Sequence, residues 1–222
     1  MWFFLMSPMP PVNPDFEASK EAREVALNQA RRQLVLDGAR RVFNRRGLDG
    51  ASMRAIAAEA GCTTGAIYPL FPSKEAIYAE LLAESLERLH ECVEASFRLA
   101  PNPRAKLKAA ALAFLSYYRE KPDEVALGLY LWHGLRPRGL SPNLNAQLNR
   151  RLALTLDLLR GALCTLGDLT EPSARLEASM LFAFLIGALI VHQTGRLRLL
   201  DSDLDAIASG HLEVLLSRLG KA

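Results

Sequence analysis

Apolar residues recur at helical spacing along nearly the whole chain, in blocks broken by proline, glycine and small capping residues, with no convincing alternating strand. The longest blocks follow residue 73. Ser73 opens one that runs to about Leu99. Asn102-Pro103 then pairs a cap with a proline at the first helical position, before a block ending near Glu120. Pro122 starts another towards His133-Gly134. Ser141-Pro142 and Thr170-Glu171-Pro172 repeat the cap-and-proline signal and open helices to Leu166-Gly167 and Thr194-Gly195. Asp201 or Ser202 caps a last helix ending at Gly220.

Before residue 73 the blocks are shorter and the punctuation is tighter. Ser52 can accept a hydrogen bond from an orphan N–H at a helix start, and Met53 to Ala60 are mostly good helix formers with Ile56 and Ala60 on one face. Gly61 stands where that helix must stop, in a left-handed position that costs glycine no Cβ clash. Thr63 or Thr64 can cap a second helix that buries Ile67, with Phe71 just beyond its end. Pro69 keeps this helix short, because it donates no N–H to Gly65 and disfavours helical backbone at Tyr68. Short helix, glycine turn, short helix is the layout of a helix-turn-helix. Its second helix would offer Thr63, Thr64, Gly65 and Ala66 to base edges in the major groove, with Thr64 able to bond an edge or touch a thymine methyl.

Charge and composition sharpen this picture only in part. The net charge is +3 over 222 residues, so the chain is no wholesale polycation. Six arginines, Arg31, Arg32, Arg40, Arg41, Arg45 and Arg46, gather just before the motif, where phosphate neutralisation would need them. Half of them read as ordinary solvated helix surface. Cys62, Cys92 and Cys164 are scattered and odd in number, which fits a reducing cytoplasm. No G-x-S-x-G elbow, phosphate loop or His-Glu-x-x-His is present, so the reading is not an enzyme and needs no cofactor or metal. Asp157 reads as a surface partner of Arg160.

With these residues in place, the segments VLDGARRVFNRRGLDGASMRAIAAEAG and CTTGAIYPLFPSKEAIYAELL resemble the N-terminal domain of TetR/AcrR-type transcriptional regulators. Gly61, Thr63, Gly65, Ile67, Tyr68, Phe71, Ser73, Lys74 and Glu75 meet that family's core pattern at fixed spacing. The resemblance covers roughly Gln29 to Leu89. It implies phosphate contacts from Tyr68 and Lys74, a recognition-helix entrance at Thr63 and Thr64, and phosphate or base contacts from Ser52 and Arg54. Pro69 and Leu70 depart from the family pattern and thin the contact set at that edge.

The organisation expected is all-α, about nine helices. Residues 1–22 would be a proline-rich disordered arm whose MWFFLM start is too short for a membrane span. Residues 23–72 would be the helix-turn-helix DNA-binding domain, with the motif at about 52–71, and residues 73–222 a helical effector-binding and dimerisation domain. In that second domain Met180 to Val191 is apolar all round. Ser179, Ala183 and Gly187 make a small-residue face on it, and Leu204, Ala208, His211, Leu212 and Leu215 form a stripe on the last helix; together they read as a dimer seam. Phe114, Tyr117, Tyr118, Tyr130, Trp132 and His133 are the candidate effector contacts, an aromatic set suited to a lipophilic or aromatic small molecule.

The function expected is a cytoplasmic, dimeric, ligand-responsive repressor on a palindromic double-stranded DNA operator, with no membrane role. The alternative is a helical small-molecule-binding or catalytic protein with a vestigial helix-turn-helix.

Overall fold

Local signals decide where most helices begin and end. The computed structural model describes residues 14–128, 140–166 and 169–219, with side chains from residue 19 onward. Among these residues the helices are α1 (Pro14–Gly50), α2 (Met53–Ala60), α3 (Thr64–Ile67), α4 (Lys74–Leu99), α5 (Pro103–Glu120), α6 (Pro122–Gly128), α7 (Pro142–Leu166), α8 (Glu171–Gln193) and α9 (Leu204–Leu219). A 3-10 turn, Arg196–Leu200, joins the last two, and no strand occurs among the described residues. The fold is therefore all-α, as the spacing predicts.

The expected caps are in place on four helices: Ser52, Ser73, Asn102 and Ser141 each accept a bond from the backbone N–H three residues on, at 3.2, 3.2, 2.9 and 3.3 Å. Other starts differ from expectation, and at α8 the Thr170 hydroxyl makes no capping bond. The N–H of Ala206 donates to Asp203, at 2.8 Å, while Asp201 takes a left-handed conformation one turn earlier. Helix α1 begins at Pro14, inside the segment read as an arm, because proline suits a first helical turn and the run through Ala30 is rich in helix formers.

Glycine breaks the helical backbone at two points. Gly47 interrupts α1 with φ 66° and ψ 178°, a backbone state that is essentially glycine's alone. Gly61 ends α2 with φ 70° and ψ 30°, and Cys62 N–H closes the turn on the Ala57 carbonyl at 2.9 Å. A Cβ at Gly61 would meet nothing within 4 Å, so Gly61→Ala isolates the backbone strain. We expect it to cost about 1–2 kcal/mol in thermal or urea unfolding, and an unchanged midpoint would show that the turn relaxes without penalty.

Two packed regions share α4. Val35, Ala39 and Phe43 of α1, Ile56 of α2, Ile67 of α3 and Phe71 bury against Ile77, Tyr78 and Leu81 at the start of α4. Further along, α4 packs on α5 and α7, and α8 packs on α5, α7 and α9. The stripe Leu204, Ala208, Leu212 and Leu215, expected at a dimer seam, lies instead inside the protomer, each at most 5% exposed. The periodicity located the apolar face of α9 correctly, but α5 and α8 cover that face within the chain. His211 is half-buried, with its ring stacked on Phe184 at 3.8 Å.

Helix α8 is different. It is long and apolar enough to cross a membrane by length and composition alone, though Leu181, Leu185 and Leu189 are built into the core. Ser179 and Ala183 are exposed, beside Leu176 and Met180 at 60% and 45%. A Cβ at Gly187 would meet nothing within 4 Å. An apolar face is thus left uncovered on α8, and Val214 of α9, 70% exposed, is another apolar side chain left open.

Candidate nucleic-acid interface

The first turn of α3 is open to solvent. Thr63 precedes it in extended conformation, and its hydroxyl makes no capping bond. The backbone does the work instead: Ala66 N–H donates to the Thr63 carbonyl at 3.0 Å. Thr63, Gly65 and Ala66 are exposed, Thr64 is half-buried and Ile67 is sealed into the core. A short helix pinned by one buried isoleucine thus offers small side chains and an uncommitted hydroxyl on its outer side.

The end of α3 corrects one expectation. Tyr68 keeps helical dihedrals (φ −57°, ψ −34°) despite the proline that follows. The turn is held because Leu70 N–H and Phe71 N–H both donate to the Ile67 carbonyl, at 2.8 and 2.9 Å, outweighing the proline's steric preference. Tyr68 is left 54% exposed, next to exposed Pro69. Leu70 turns inward and packs on the core.

Lys74 differs more. Its ammonium donates to the carbonyls of Leu48 at 2.8 Å, Ala51 at 3.0 Å and Asp49 at 3.3 Å. All three donors of a lysine are then used, so the residue ties the end of α1 to the start of α4 instead of facing phosphate. Orphan carbonyls at the end of a helix attract a cation, and Lys74 supplies it.

The arginine cluster divides along similar lines. Arg32 pairs with Glu80, donates to the Leu70 carbonyl at 2.9 Å and lies over the Phe71 ring at 4.1 Å, clamping the α3–α4 junction. Arg40 reaches Glu124 at 2.8 Å. Arg41 and Arg45 both pair with Glu59 of α2, and their hydrogen bonds hold its carboxyl below the usual glutamate pKa. Four of the six therefore have structural partners. Arg46 and Arg54 are exposed and form no ion pair among the described residues; with Ser52 they line the cleft between the end of α1 and α2. Ser52 itself serves as the α2 cap.

One residue that matters here carried only a faint sequence signal. Gly38 lies in mid-α1, and a Cβ there would sit 2.9 Å from the Ala60 backbone nitrogen. An isolated glycine inside a strong helical pattern is the only trace such a contact leaves. Glu59 left none, since its partners belong to another helix.

The sequence profile of the bacterial regulatory proteins of the tetR family matches residues 35–81, the span from mid-α1 into α4 that builds this surface. Over this span the chain is similar in sequence to the tetR family. The HTH-type transcriptional repressor Rv1474c of Mycobacterium tuberculosis is 42% identical over 60 residues, 27% of this chain and 32% of that protein. The HTH-type transcriptional repressor AcnR of Corynebacterium diphtheriae is 40% identical over 63 residues, 28% of this chain and 33% of that one. The chain thus spans about a third of the length of these curated relatives.

Over the greater part of the chain the likeness is one of fold. A tetR-family regulatory protein from Rhodococcus RHA1 superposes with a TM-score of 0.68 at 20% identity, covering 86% of this chain and 97% of that one. The regulator FadR from Bacillus subtilis, solved in complex with stearoyl-CoA, superposes with a TM-score of 0.66 at 24% identity, covering 83% and 97%.

In the C-terminal part, Phe114, Tyr117 and Tyr118 are core residues, at most 5% exposed and packed edge-to-face on one another. The Tyr117 hydroxyl donates to the Ser85 carbonyl at 3.0 Å. Burial pushes the pKa of both tyrosines above the ordinary phenol value, so they stay neutral. Tyr130, Trp132 and His133 lie outside the described residues.

Proposed function

We propose that this protein is a dimeric transcriptional repressor that reads a palindromic operator with α3 and is released by a small lipophilic or aromatic effector. The observation that carries this reading is the open first turn of α3, with the Thr63 hydroxyl making no capping bond and Tyr68 exposed, together with Arg46 and Arg54, exposed and without an ion pair among the described residues. Direct reading of bases needs small polar groups that reach an edge; affinity needs cations and hydroxyls on phosphate. Thr63, Thr64, Gly65 and Ala66 serve the first need. Arg46, Arg54 and Tyr68 serve the second. Both curated relatives are named repressors, which supports the sign of the control.

A helix of four residues reads too few bases alone, so the reading requires a pair. The uncovered face of α8, Ser179, Ala183 and Gly187 with Leu176 and Met180 beside them, is the surface we assign to that pairing. The effector would enter among the aromatic residues between α4, α5 and α6, near Tyr117 and Tyr118, whose buried rings suit a lipophilic ligand. That the fold relative FadR binds stearoyl-CoA is consistent with a lipophilic class.

The test is selection from a random pool of duplex DNA by the purified protein. We expect a palindrome with half-site centres about 34–36 Å apart or a multiple, and affinity that falls steeply with salt. Tyr68→Ala should weaken binding about tenfold across sequences, while Thr63→Val should relax preference at one position of each half-site, a change of about 1–3 kcal/mol. Enrichment of no sequence would remove the assignment.

A further inference from the structure

We propose that Glu124 is the joint through which the C-terminal domain sets the angle of the DNA-reading helices, an inference that rests on the function proposed above. Glu124 stands in the first turn of α6 and is 6% exposed. A single oxygen, Oε1, accepts from Arg40 of α1 at 2.8 Å and from Arg88 of α4 at 3.0 Å. Beside it, Asp123 accepts from Asn44 of α1 at 2.8 Å. Arg40 and Asn44 are four residues apart on one face of α1, whereas Gly38, Arg41 and Arg45 hold α2. Helix α6 thus grips α1 by a different set of side chains from the one that carries the reader.

The other end of α6 is placed to feel what enters the aromatic region. The Leu127 carbonyl accepts from the Tyr78 hydroxyl at 2.6 Å, and Tyr78 packs edge-to-face on Phe43 of α1. The Tyr118 hydroxyl lies 3.5 Å from the Cβ position of Gly128, the last described residue of α6. A ligand group pressing on Tyr118 would move α6, whose start is bonded to α1 and to α4 alike. Hydrogen bonds of this length fail within about an ångström of displacement, so a small shift changes which guanidinium the carboxylate holds.

Chemistry favours a switch over a simple brace. Two cations share one carboxylate, so any motion that releases it leaves Arg40 and Arg88 facing each other without their common anion. The Ser85 hydroxyl and the second oxygen, Oε2, are both buried and make no hydrogen bond of standard geometry.

The test measures binding of Glu124→Gln, Arg40→Gln and the double variant to the operator chosen by the wild type from random duplex DNA, and to the same operator with half-sites moved by one base pair. Glu124→Gln keeps shape and removes charge. We expect about a tenfold loss on the native spacing, little loss on altered spacing, and an unchanged salt slope. Arg40→Gln should behave alike, and the double variant should lose no more than either. Wild-type spacing preference in Glu124→Gln, strictly additive losses, or a salt slope reduced by about one in Arg40→Gln would each overturn the joint; the last would make Arg40 a phosphate contact. Should Glu124→Gln not fold, Asp123→Ala decides: about a threefold shift in the same direction supports the joint, and wild-type behaviour overturns it. A wild type that selects no DNA brings down the functional reading and the joint with it, whereas a wild type that selects DNA alongside indifferent variants brings down the joint alone.

Discussion

Gly187→Leu is expected to make the protein monomeric and to weaken operator binding by about 100-fold or more. The protomer has no reason to resist this change. A side chain at Gly187 meets nothing within 4 Å, and leucine is a better helix former than glycine by about 1 kcal/mol. The proposed seam does resist it. Ser179, Ala183 and Gly187 let a second α8 approach closely, and a leucine in that row holds two helix axes apart beyond the usual separation of about 8–10 Å. Affinity then falls because each monomer contacts one half-site only. Sedimentation velocity and operator titration check the two parts separately. A dimer that persists would place the seam elsewhere on the chain.

That prediction uses a row of small residues found by spacing alone, whereas the neighbouring stripe on α9 was read wrongly from equally regular spacing. Periodicity shows which face of a helix is apolar and says nothing about what covers it. For Leu204, Ala208, Leu212 and Leu215 the cover is α5 and α8 of the same chain. For α8 the apolar character runs all round, so one face can fill the core and another can remain open. The Ser52, Ser73 and Asn102 caps and the Gly61 turn were legible for the opposite reason: donor and acceptor lie within a few residues of each other.

The exposure of the candidate DNA contacts was legible to the same extent. Thr63, Gly65, Ala66 and Tyr68 are exposed because Ile67 and Phe71 fix the inward side of a very short helix, which is local information. Lys74 and the arginines are long side chains whose partners belong to other helices. Lys74 finds the carbonyls at the end of α1, and Arg41 and Arg45 find Glu59. Charge clustering in sequence therefore overstated the free cations: of the six arginines Arg31 and Arg46 are left with no ion pair among the described residues, and Arg54 of α2 joins them.

Gly38→Leu should do the reverse of Gly187→Leu: keep the dimer and lose the reader. Even a Cβ at residue 38 would lie 2.9 Å from the nitrogen and 3.1 Å from the Cα of Ala60, and backbone cannot step aside as a side chain can. The gain in helix propensity, about 1 kcal/mol, offsets only part of the overpacking, which costs about 1–3 kcal/mol for one extra methylene in a tight contact and more for leucine. Relief requires α2 to move off α1, and Ala60 leads directly through Gly61 and Cys62 to Thr63. The displacement therefore passes to α3, whose Ile67 shares a core with Phe43 and Ile56. Stability of the N-terminal unit and operator affinity should fall together, while sedimentation still reports the wild-type assembly. Operator binding at the wild-type level would show that α2 can shift without carrying α3, and that the glycine contact is not what sets the geometry of the reader.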